Sequence, residues 1–276
     1  MESVKGLSFP LTATTMTRKE AYHALSPALM AGLPSSGVVR TIPRKIVHGP
    51  KKFQGLGVDN LYTLQGIAHT AVLIRHGKSM DHFNGQLLRA NIEQAKLEVG
   101  TNGPLFTQDY LTFSCLLTHC WVKHTWKFLS ENNMTIEDSL PDVRLRREGD
   151  ALLTNLFVAA GYSGQDLQRL NRCRLFLQVA TASDITTADG RKITKTAWDG
   201  NLDDTAPSPY EWPNQGKPGP GDWQLWNRAL LRTFNLRGQR LLRTPLGRWY
   251  SNEDQCKWYF EISEERLYEV DNEETW

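Results

Sequence analysis

Hydrophobic residues recur at three- and four-residue spacing along much of the chain, and this pattern predicts amphipathic helices. From Tyr62 to Gly77 the recurring positions are Leu64, Ile67, Ala68, Ala71, Val72 and Ile74. From Asn84 to Val99 they are Leu87, Leu88, Ile92, Ala95 and Val99, and Gly100 follows as a stop signal. We therefore expect a helix in each stretch, with these side chains facing a core.

Several other stretches also predict helices. Thr17 and Glu20 have the spacing of a capping box, so a helix should follow to Gly32, bent or divided at Pro27. Residues 109–129 should form one or two buried helices, and residues 145–160 and 165–182 one helix each. In the last of these, three arginines are expected to project outward: Arg169, Arg172 and Arg174. Asp222 should begin a helix that carries Trp223 and Trp226.

The last fifty residues change to a pattern of short strands. LGRWY, KWYFEI and RLYEV are separated by SNED and SEE, which predicts a three-stranded antiparallel meander. Asp189 and Gly190 predict a small hairpin turn. The expected fold class is therefore mainly α: a helical bundle-like core with a small C-terminal antiparallel β meander.

Composition divides the 276 residues into four segments. These are a basic N-terminal segment with a Pro/Gly-rich strap (1–61), a helical core (62–199), a Pro/Gly-rich linker (200–221), and a Trp-rich helix with the β meander (222–276). Hydrophobic residues make up 40% of the chain, enough for a buried core. Length favours one large domain or two small ones.

Charge is distributed unevenly although the net charge is only +2. Residues 1–60 hold eight Lys and Arg against three Asp and Glu, whereas the tail from Glu261 onward is acidic apart from Arg266. This suggests a local anion-binding surface and excludes a strongly basic field over the whole protein.

Cysteine usage and the lack of long apolar runs point to an intracellular protein. The four cysteines are sparse and irregularly spaced, so we expect reduced thiols. The N-terminal residues lack a signal-peptide core, and no apolar run reaches membrane-spanning length. The expected location is nuclear or cytoplasmic, with no membrane partner.

The segment from Leu33 to Leu61, which we call the basic strap, holds the densest set of candidate functional residues. Its prolines and glycines exclude a long helix and predict an ordered, irregular segment that presents cations. The candidates for phosphate contact are Arg40, Arg44, Lys45, Lys51 and Lys52. The alternative is a solvated connection across a helical core, because charged loops are common.

The basic strap also has a recognisable motif order, LPxxGxxRxxPRxxVxGPxxxxGLGxxNL. It resembles the segment just downstream of the polymerase core in reverse-transcriptase proteins of LINE-like, non-LTR retrotransposons, where a GGLGI-x-NL signature lies in or after the thumb. Gly55 to Val58 and Asn60 to Leu61 match that signature, while Gln54 replaces its first glycine. The resemblance covers residues 10–100 and implies contact with a template–primer backbone, as in a stand-alone or truncated C-terminal portion of such a protein.

No catalytic constellation accompanies that resemblance. Polymerase chemistry needs carboxylates that hold two metal ions on a palm sheet, and no palm precedes the strap in this sequence. Asp203 and Asp204 lie in a polar stretch without a flanking apolar strand. No nucleophile elbow, phosphate-binding loop or dinucleotide fingerprint is present. We therefore expect a non-enzymatic protein without a cofactor.

A cluster of potential metal ligands has unsuitable spacing. Cys115, His119, Cys120 and His124 form C-x3-H-C-x3-H. On one helix, the first and second pairs would point in different directions, so four ligands could not converge on a zinc ion. Ordinary packing with hydrogen-bonded histidines is the favoured interpretation, and no metal site is assigned.

Two function classes follow. The first is a non-catalytic nucleic-acid-binding fragment whose partner is an RNA–DNA hybrid or DNA. The alternative is a protein–protein interaction module at the Trp-rich C-terminal region, where six tryptophans alternate with arginines. Exposed tryptophans would favour the module, whereas buried ones would mark a core.

Overall fold

The computed structural model describes residues 10–77, 82–137, 140–201, 212–238 and 240–250, together with the backbone of Cys256–Glu261 and Arg266–Asp271. The described chain is mainly helical, as the hydrophobic pattern predicts. No helix in the described ranges is both long and apolar enough to cross a membrane.

The chain divides into two compact units. Unit 1 comprises Met1–Glu93, Pro104–Tyr110 and Leu117–Leu140, and unit 2 comprises Gln94–Gly103, Leu111–Leu116 and Pro141–Trp276. This division differs from the composition-based segments, because the basic strap joins the following helices in unit 1. Likewise, the Trp-rich helix joins residues 141–199 in unit 2.

Twelve named elements make up the described secondary structure. The helices are α1 (Arg18–Ser35), α2 (Arg44–Val47), α3 (Leu61–His76), α4 (Phe83–Val99), α5 (Tyr110–Phe113), α6 (Trp121–Glu131), α7 (Leu153–Ala159), α8 (Gly164–Phe176), α9 (Lys195–Asp199) and α10 (Pro220–Phe234). The strands are β1 (Cys256–Glu261) and β2 (Arg266–Asp271). Short 3-10 turns cover Lys51–Phe53, Leu105–Thr107, Ser114–Leu116 and Ser183–Ile185.

Helix α1 begins at the predicted capping box. The Glu20 amide donates to Thr17 Oγ1 at 3.2 Å, and the Thr17 amide donates to Glu20 Oε2 at 2.7 Å. The helix runs through Pro27 to Ser35 without being divided there. It buries Ala21, Leu25, Leu29 and Leu33, whose spacing places them on one face.

Helix α3 buries a different face from the one its hydrophobic residues predict. Ile67 and Ile74 are exposed, whereas Gln65, Gly66 and His69 are buried. Two of these buried positions have specific neighbours in unit 1. Gln65 exchanges hydrogen bonds with the backbone of Thr14 and Met16, and a Cβ on Gly66 would overlap the Phe128 ring of α6. Polar contacts therefore override the apolar pattern.

Unit 2 is organised around α8 and α10. Leu167 and Leu170 of α8, Phe157 of α7 and Trp226 of α10 are fully buried or nearly so. Helix α7 starts at Leu153, later than predicted, because the preceding residues pair with 180–183. The Leu153 amide donates to the Ala180 carbonyl and the Ala182 amide to the Ala151 carbonyl.

Arg174 corrects another expectation, because its side chain is completely buried instead of projecting outward. Its Nε donates to Asn171 Oδ1 at 2.8 Å, and its Nη2 donates to the carbonyls of Leu97 and Glu98, both at 2.8 Å. Those carbonyls lie in the last turn of α4, where a helix lacks its own donors. Arg174 therefore caps α4 from the side.

The C-terminal meander is not shown. β1 and β2 form one antiparallel pair, with Cys256 opposite Asp271 and Glu261 opposite Arg266. The first predicted strand, residues 246–250, instead follows an irregular path with one isolated bridge between Trp249 and Arg147. The hairpin turn at Asp189–Gly190 is present: the Thr187 amide donates to the Lys192 carbonyl, and Thr186 bridges Ile193.

Candidate nucleic-acid interface

The basic strap contains two short turns, each started by a proline. Pro43 precedes α2, and Pro50 precedes the 3-10 turn Lys51–Phe53. The fixed backbone angle of proline suits the entry to a helical turn, where its missing amide is not needed. The prolines thus place Arg44 and Lys45 on one turn, and Lys51 and Lys52 on the next.

Backbone hydrogen bonds fold the chain back across these turns. The amides of Leu56, Gly57 and Val58 donate to the carbonyls of Ile46, Gly49 and Val47 at 2.9, 2.9 and 3.0 Å. The returning pass of the chain (residues 55–58) crosses the outgoing pass (residues 46–49) at Gly55. A Cβ on Gly55 would overlap the Gly49 carbonyl oxygen. Only glycine fits at this position, so the GLG motif has a local structural role.

Apolar side chains attach the strap to the core of unit 1. Val47 is fully buried, in a cluster with Leu29 and Leu33 of α1 and Tyr62 of α3. Leu56 and Val58, from the returning pass, pack against the same cluster. The strap is therefore an ordered surface element, because backbone bonds and buried side chains both hold it.

The five candidate cations differ in their surroundings. Arg40, Lys45, Lys51 and Lys52 are exposed, whereas Arg44 is half-buried. The Arg44 guanidinium lies 5.8 Å from the centre of the Tyr22 ring, and its buried Nη1 has no hydrogen-bond partner among the described residues. None of the five takes part in an ion pair recorded for the described chain. Four cations thus face solvent.

Phe53 is a candidate residue that the sequence interpretation missed. Its side chain is 73% exposed, and Lys52 Nζ lies 4.8 Å from the centre of its ring. An exposed ring beside lysines is an arrangement that stacks unpaired bases. The sequence feature that could have identified Phe53 is its position directly after Lys51 and Lys52.

The cysteines and histidines at 115–124 lie on different local elements. This stretch is not one helix, since Cys115 lies in a 3-10 turn and Cys120 caps the start of α6. His124 Nε2 donates to the Met16 carbonyl at 2.7 Å. Among the residues that the structure describes, no group of three or more potential metal ligands comes together.

Two buried histidines lie side by side in unit 1. The rings of His69 and His124 are 5.6 Å apart, and Thr125 Oγ1 lies 3.1 Å from His69 Nδ1. Burial, together with the smaller effect of the nearby His124, lowers the pKa of His69 to about 4. Burial also lowers the pKa of His124. Both rings are therefore neutral at pH 7 and act in packing.

The described tryptophans of the Trp-rich region divide between core and surface. Trp226 is fully buried and donates to the Ala197 carbonyl at 2.9 Å, and the half-buried Trp223 packs edge-on against it. Trp249 and Tyr250 remain exposed at 40% and 58%. The Trp258 side chain and the Asp203–Asp204 pair lie outside what the structure describes.

Comparisons with protein-family models, with curated proteins and with solved structures found no match.

Proposed function

We propose that this protein is a non-catalytic nucleic-acid-binding fragment that contacts phosphates through the basic strap. The observation that carries the proposal is the set of four exposed cations, Arg40, Lys45, Lys51 and Lys52, on a segment fixed by backbone hydrogen bonds. A fixed array loses less conformational freedom on binding than a flexible loop would. Phosphate contacts of this kind give affinity without reading sequence.

The motif order of the strap supports a more specific proposal. It resembles the region downstream of the polymerase core of a LINE-like reverse transcriptase, whose substrate is a template–primer duplex. The proposed ligand is therefore an RNA–DNA hybrid or DNA, bound in the nucleus or cytoplasm.

A salt series of anisotropy titrations tests the proposal. The ligands are an RNA–DNA hybrid, a DNA duplex and single strands. If four cations each neutralise one phosphate, the logarithm of the duplex binding constant should fall with log salt at a slope of about −3.6. Duplexes of different base sequence should bind with equal affinity.

Matched triple variants locate the site. Replacing Lys45, Lys51 and Lys52 with Gln should reduce the magnitude of the slope by about 3. The control replaces the exposed Lys19, Arg75 and Arg228 with Gln, so that the net charge changes equally. Equal weakening by both triples would show that affinity follows net charge and would reject the strap as the site.

Charge reversal at Arg44 and Lys45 adds a test of this turn. Lys45→Glu should weaken binding to all sequences equally, since Lys45 is exposed and would oppose a phosphate. Arg44→Glu should also perturb packing, because its guanidinium lies against Tyr22. Unchanged affinity in Lys45→Glu would remove this turn from the interface.

A protein-interaction module at the Trp-rich region is the second candidate. The exposed Trp249 and Tyr250 favour it, although Trp226 and Trp223 serve the core. The module predicts a partner protein whose binding is lost in Tyr250→Ala while nucleic-acid affinity stays the same. Loss of both together would indicate unfolding, which circular dichroism would detect.

A further inference from the structure

Unit 2 contains a groove made of two adjoining cavities of about 560 and 1010 Å³. The two cavities share four lining residues, Val179, Asp184, Thr186 and Ala188. Trp212, Trp249 and Arg146 border the smaller cavity, and Lys192, Lys195 and Arg240 border the larger one. Volumes in this range accommodate a small-molecule ligand.

Arg147 holds in place the loop of Ala188, a residue that lines both cavities. Its guanidinium donates to the carbonyls of Ala188 at 3.0 Å and Gly247 at 2.7 Å, thereby joining two loops. A Cβ on Gly190 would lie 2.6 Å from Arg147 Nη2, so glycine is required there. Because Arg147 is 3% exposed and bonded to several carbonyls, the Ala188 side of the groove is a preformed part of the fold.

The same arginine fixes the aromatic side of the groove. The Arg147 guanidinium lies 4.6 Å from the centre of the Trp249 ring, and Trp249 Nε1 donates to the Ala188 carbonyl at 3.1 Å. The ring is thus held in one orientation while 40% of the residue stays accessible. A held and accessible indole is suited to stacking against a flat ligand.

The larger cavity has an excess of positive charge. The Asp184 carboxylate already accepts from the amides of Ala180 and Thr181. The Asp189 carboxylate accepts from Thr187 Oγ1 and the Arg191 amide. Against these two acids stand Lys192, Lys195 and Arg240, while Arg146 of the smaller cavity pairs with Asp184 at 3.5 Å.

Arg240 provides the most specific feature of this cavity. Its Nη1 is buried and lacks a hydrogen-bond partner among the described residues. The Ile193 amide donates to the Arg240 carbonyl at 2.9 Å, which holds the Arg240 backbone beside Lys192 and Ile193. Arg240 also lines the larger cavity, and a guanidinium there would donate a charge-assisted hydrogen bond to an anionic oxygen.

We propose that this groove binds a phosphorylated ligand with a flat aromatic group, of the nucleoside monophosphate class. The aromatic group stacks on Trp249, and the phosphate binds at Arg240, Lys192 and Lys195. The groove belongs to unit 2 and the basic strap to unit 1, so this site does not depend on the proposed strap function.

Calorimetric titration of the full chain with four probes tests the proposal. The probes are adenosine 5′-monophosphate, adenosine, ribose 5-phosphate and inorganic phosphate. We expect the monophosphate to bind at least tenfold more tightly than any of the other three, because only it engages both ends of the groove. Equal affinity for the monophosphate and inorganic phosphate would overturn the aromatic half of the site.

Variants assign the two ends. Arg240→Gln should weaken monophosphate binding about tenfold or more and leave adenosine unaffected, since it removes a charge-assisted hydrogen bond. Trp249→Leu should weaken binding of both the monophosphate and adenosine. The control, Arg243→Gln, removes an exposed charge that does not line either cavity and should change nothing.

Two further results separate this site from the strap. The Lys45, Lys51 and Lys52 to Gln triple should bind the monophosphate as tightly as the unmodified chain does. The proposal would be overturned if the triple variant abolished monophosphate binding while Arg240→Gln left it intact. The absence of heat and of any change in Trp fluorescence at millimolar monophosphate would also overturn it.

Discussion

The lysines of the basic strap in unit 1 and two buried arginines of unit 2 serve opposite purposes. On the basic strap of unit 1, Lys45, Lys51 and Lys52 are exposed, and backbone bonds hold the chain that carries them. In unit 2, Arg147 and Arg174 are buried, and their guanidinium groups bind carbonyl oxygens of neighbouring segments. A cation is therefore available for a ligand only where the fold does not already use its donors.

Burial has a measurable electrostatic consequence for the arginines of unit 2. It lowers the pKa of Arg174 to about 10 and also lowers the pKa of Arg147. Arg174 stays charged at pH 7, because its lowered pKa is still well above 7. The Leu97 and Glu98 carbonyls at the C-terminus of α4 accept hydrogen bonds from this charge. Removing such a group should cost far more than removing an exposed lysine from the strap.

The largest expected effect is that of Arg174→Met. The change leaves the Leu97 and Glu98 carbonyls without this donor, so we expect the free energy of unfolding to fall by about 3–5 kcal/mol. Urea denaturation followed by circular dichroism measures it. The control Arg191→Met, at an exposed position in the same unit, should change stability by less than about 0.5 kcal/mol. A loss below about 1 kcal/mol in Arg174→Met would contradict the capping role.

Gly55→Ala should damage the strap without changing its charge. The new methyl group would overlap the Gly49 carbonyl, so the two passes must separate. We expect a loss of about 2–3 kcal/mol in stability, as for other overpacked sites, and at least tenfold weaker nucleic-acid binding. Gly32→Ala is the matched control, because Gly32 lies in α1 with no atom near the added methyl group. Full binding by Gly55→Ala would mean that strap geometry is unimportant.

Mild acid should distinguish the units, because all seven histidines lie in the sequence ranges of unit 1. The pKa of His69 is about 4 in the folded protein, below its ordinary value of 6.5, so the unfolded chain binds the proton more readily. Stability from His69 is complete above pH 6.5 and declines as pH falls towards 4. At pH 5 the loss is about 2 kcal/mol.

Hydrogen exchange at pH 7 and pH 5, corrected for intrinsic rates, measures this difference. Protection should fall in α3 and α6, which carry His69 and His124, and stay constant in α8 and α10. His69→Gln should reduce the pH dependence in unit 1. An equal loss of protection in both units would show that another group titrates.

Phe53→Ala should have the smallest effect. An exposed ring contributes little to folding, so stability should change by less than about 0.5 kcal/mol. Binding to single strands should weaken by about 1 kcal/mol through lost stacking, with duplex binding unchanged. Anisotropy with both ligands measures this, and Phe53→Tyr is the control that keeps an aromatic ring. Equal weakening for duplex and single strand would exclude base stacking.

Local signals in the sequence predicted the elements that local interactions determine. The capping box at Thr17, the helix ending at Val99 and the start of α10 near Asp222 each depend on residues a few positions apart. The irregular, ordered strap also followed from its prolines and glycines. The crossing of Gly55 over Gly49 did not, because it depends on how the chain returns.

Distant partners explain what the sequence did not reveal. Gln65 and His69 are buried in α3 because the segment around Thr14 and Met16 and the helix α6 supply their polar contacts. Arg174 is buried because α4 ends beside it. An amphipathic pattern shows which residues are apolar. It does not show which distant backbone carbonyls the fold brings close to a polar side chain. The retrotransposon resemblance stays a prediction.

The crossing of Gly55 over Gly49 separates the strap's architecture from its chemistry. Ten backbone hydrogen bonds from the amides of residues 46–58 hold the turns, and none of them needs a particular charged side chain. A saturation scan should therefore give two classes of position, with Val47 and Gly55 intolerant of change and Lys45, Lys51 and Lys52 permissive for folding. The exposed side chains of such a segment can therefore be changed to suit a different ligand while its backbone stays the same.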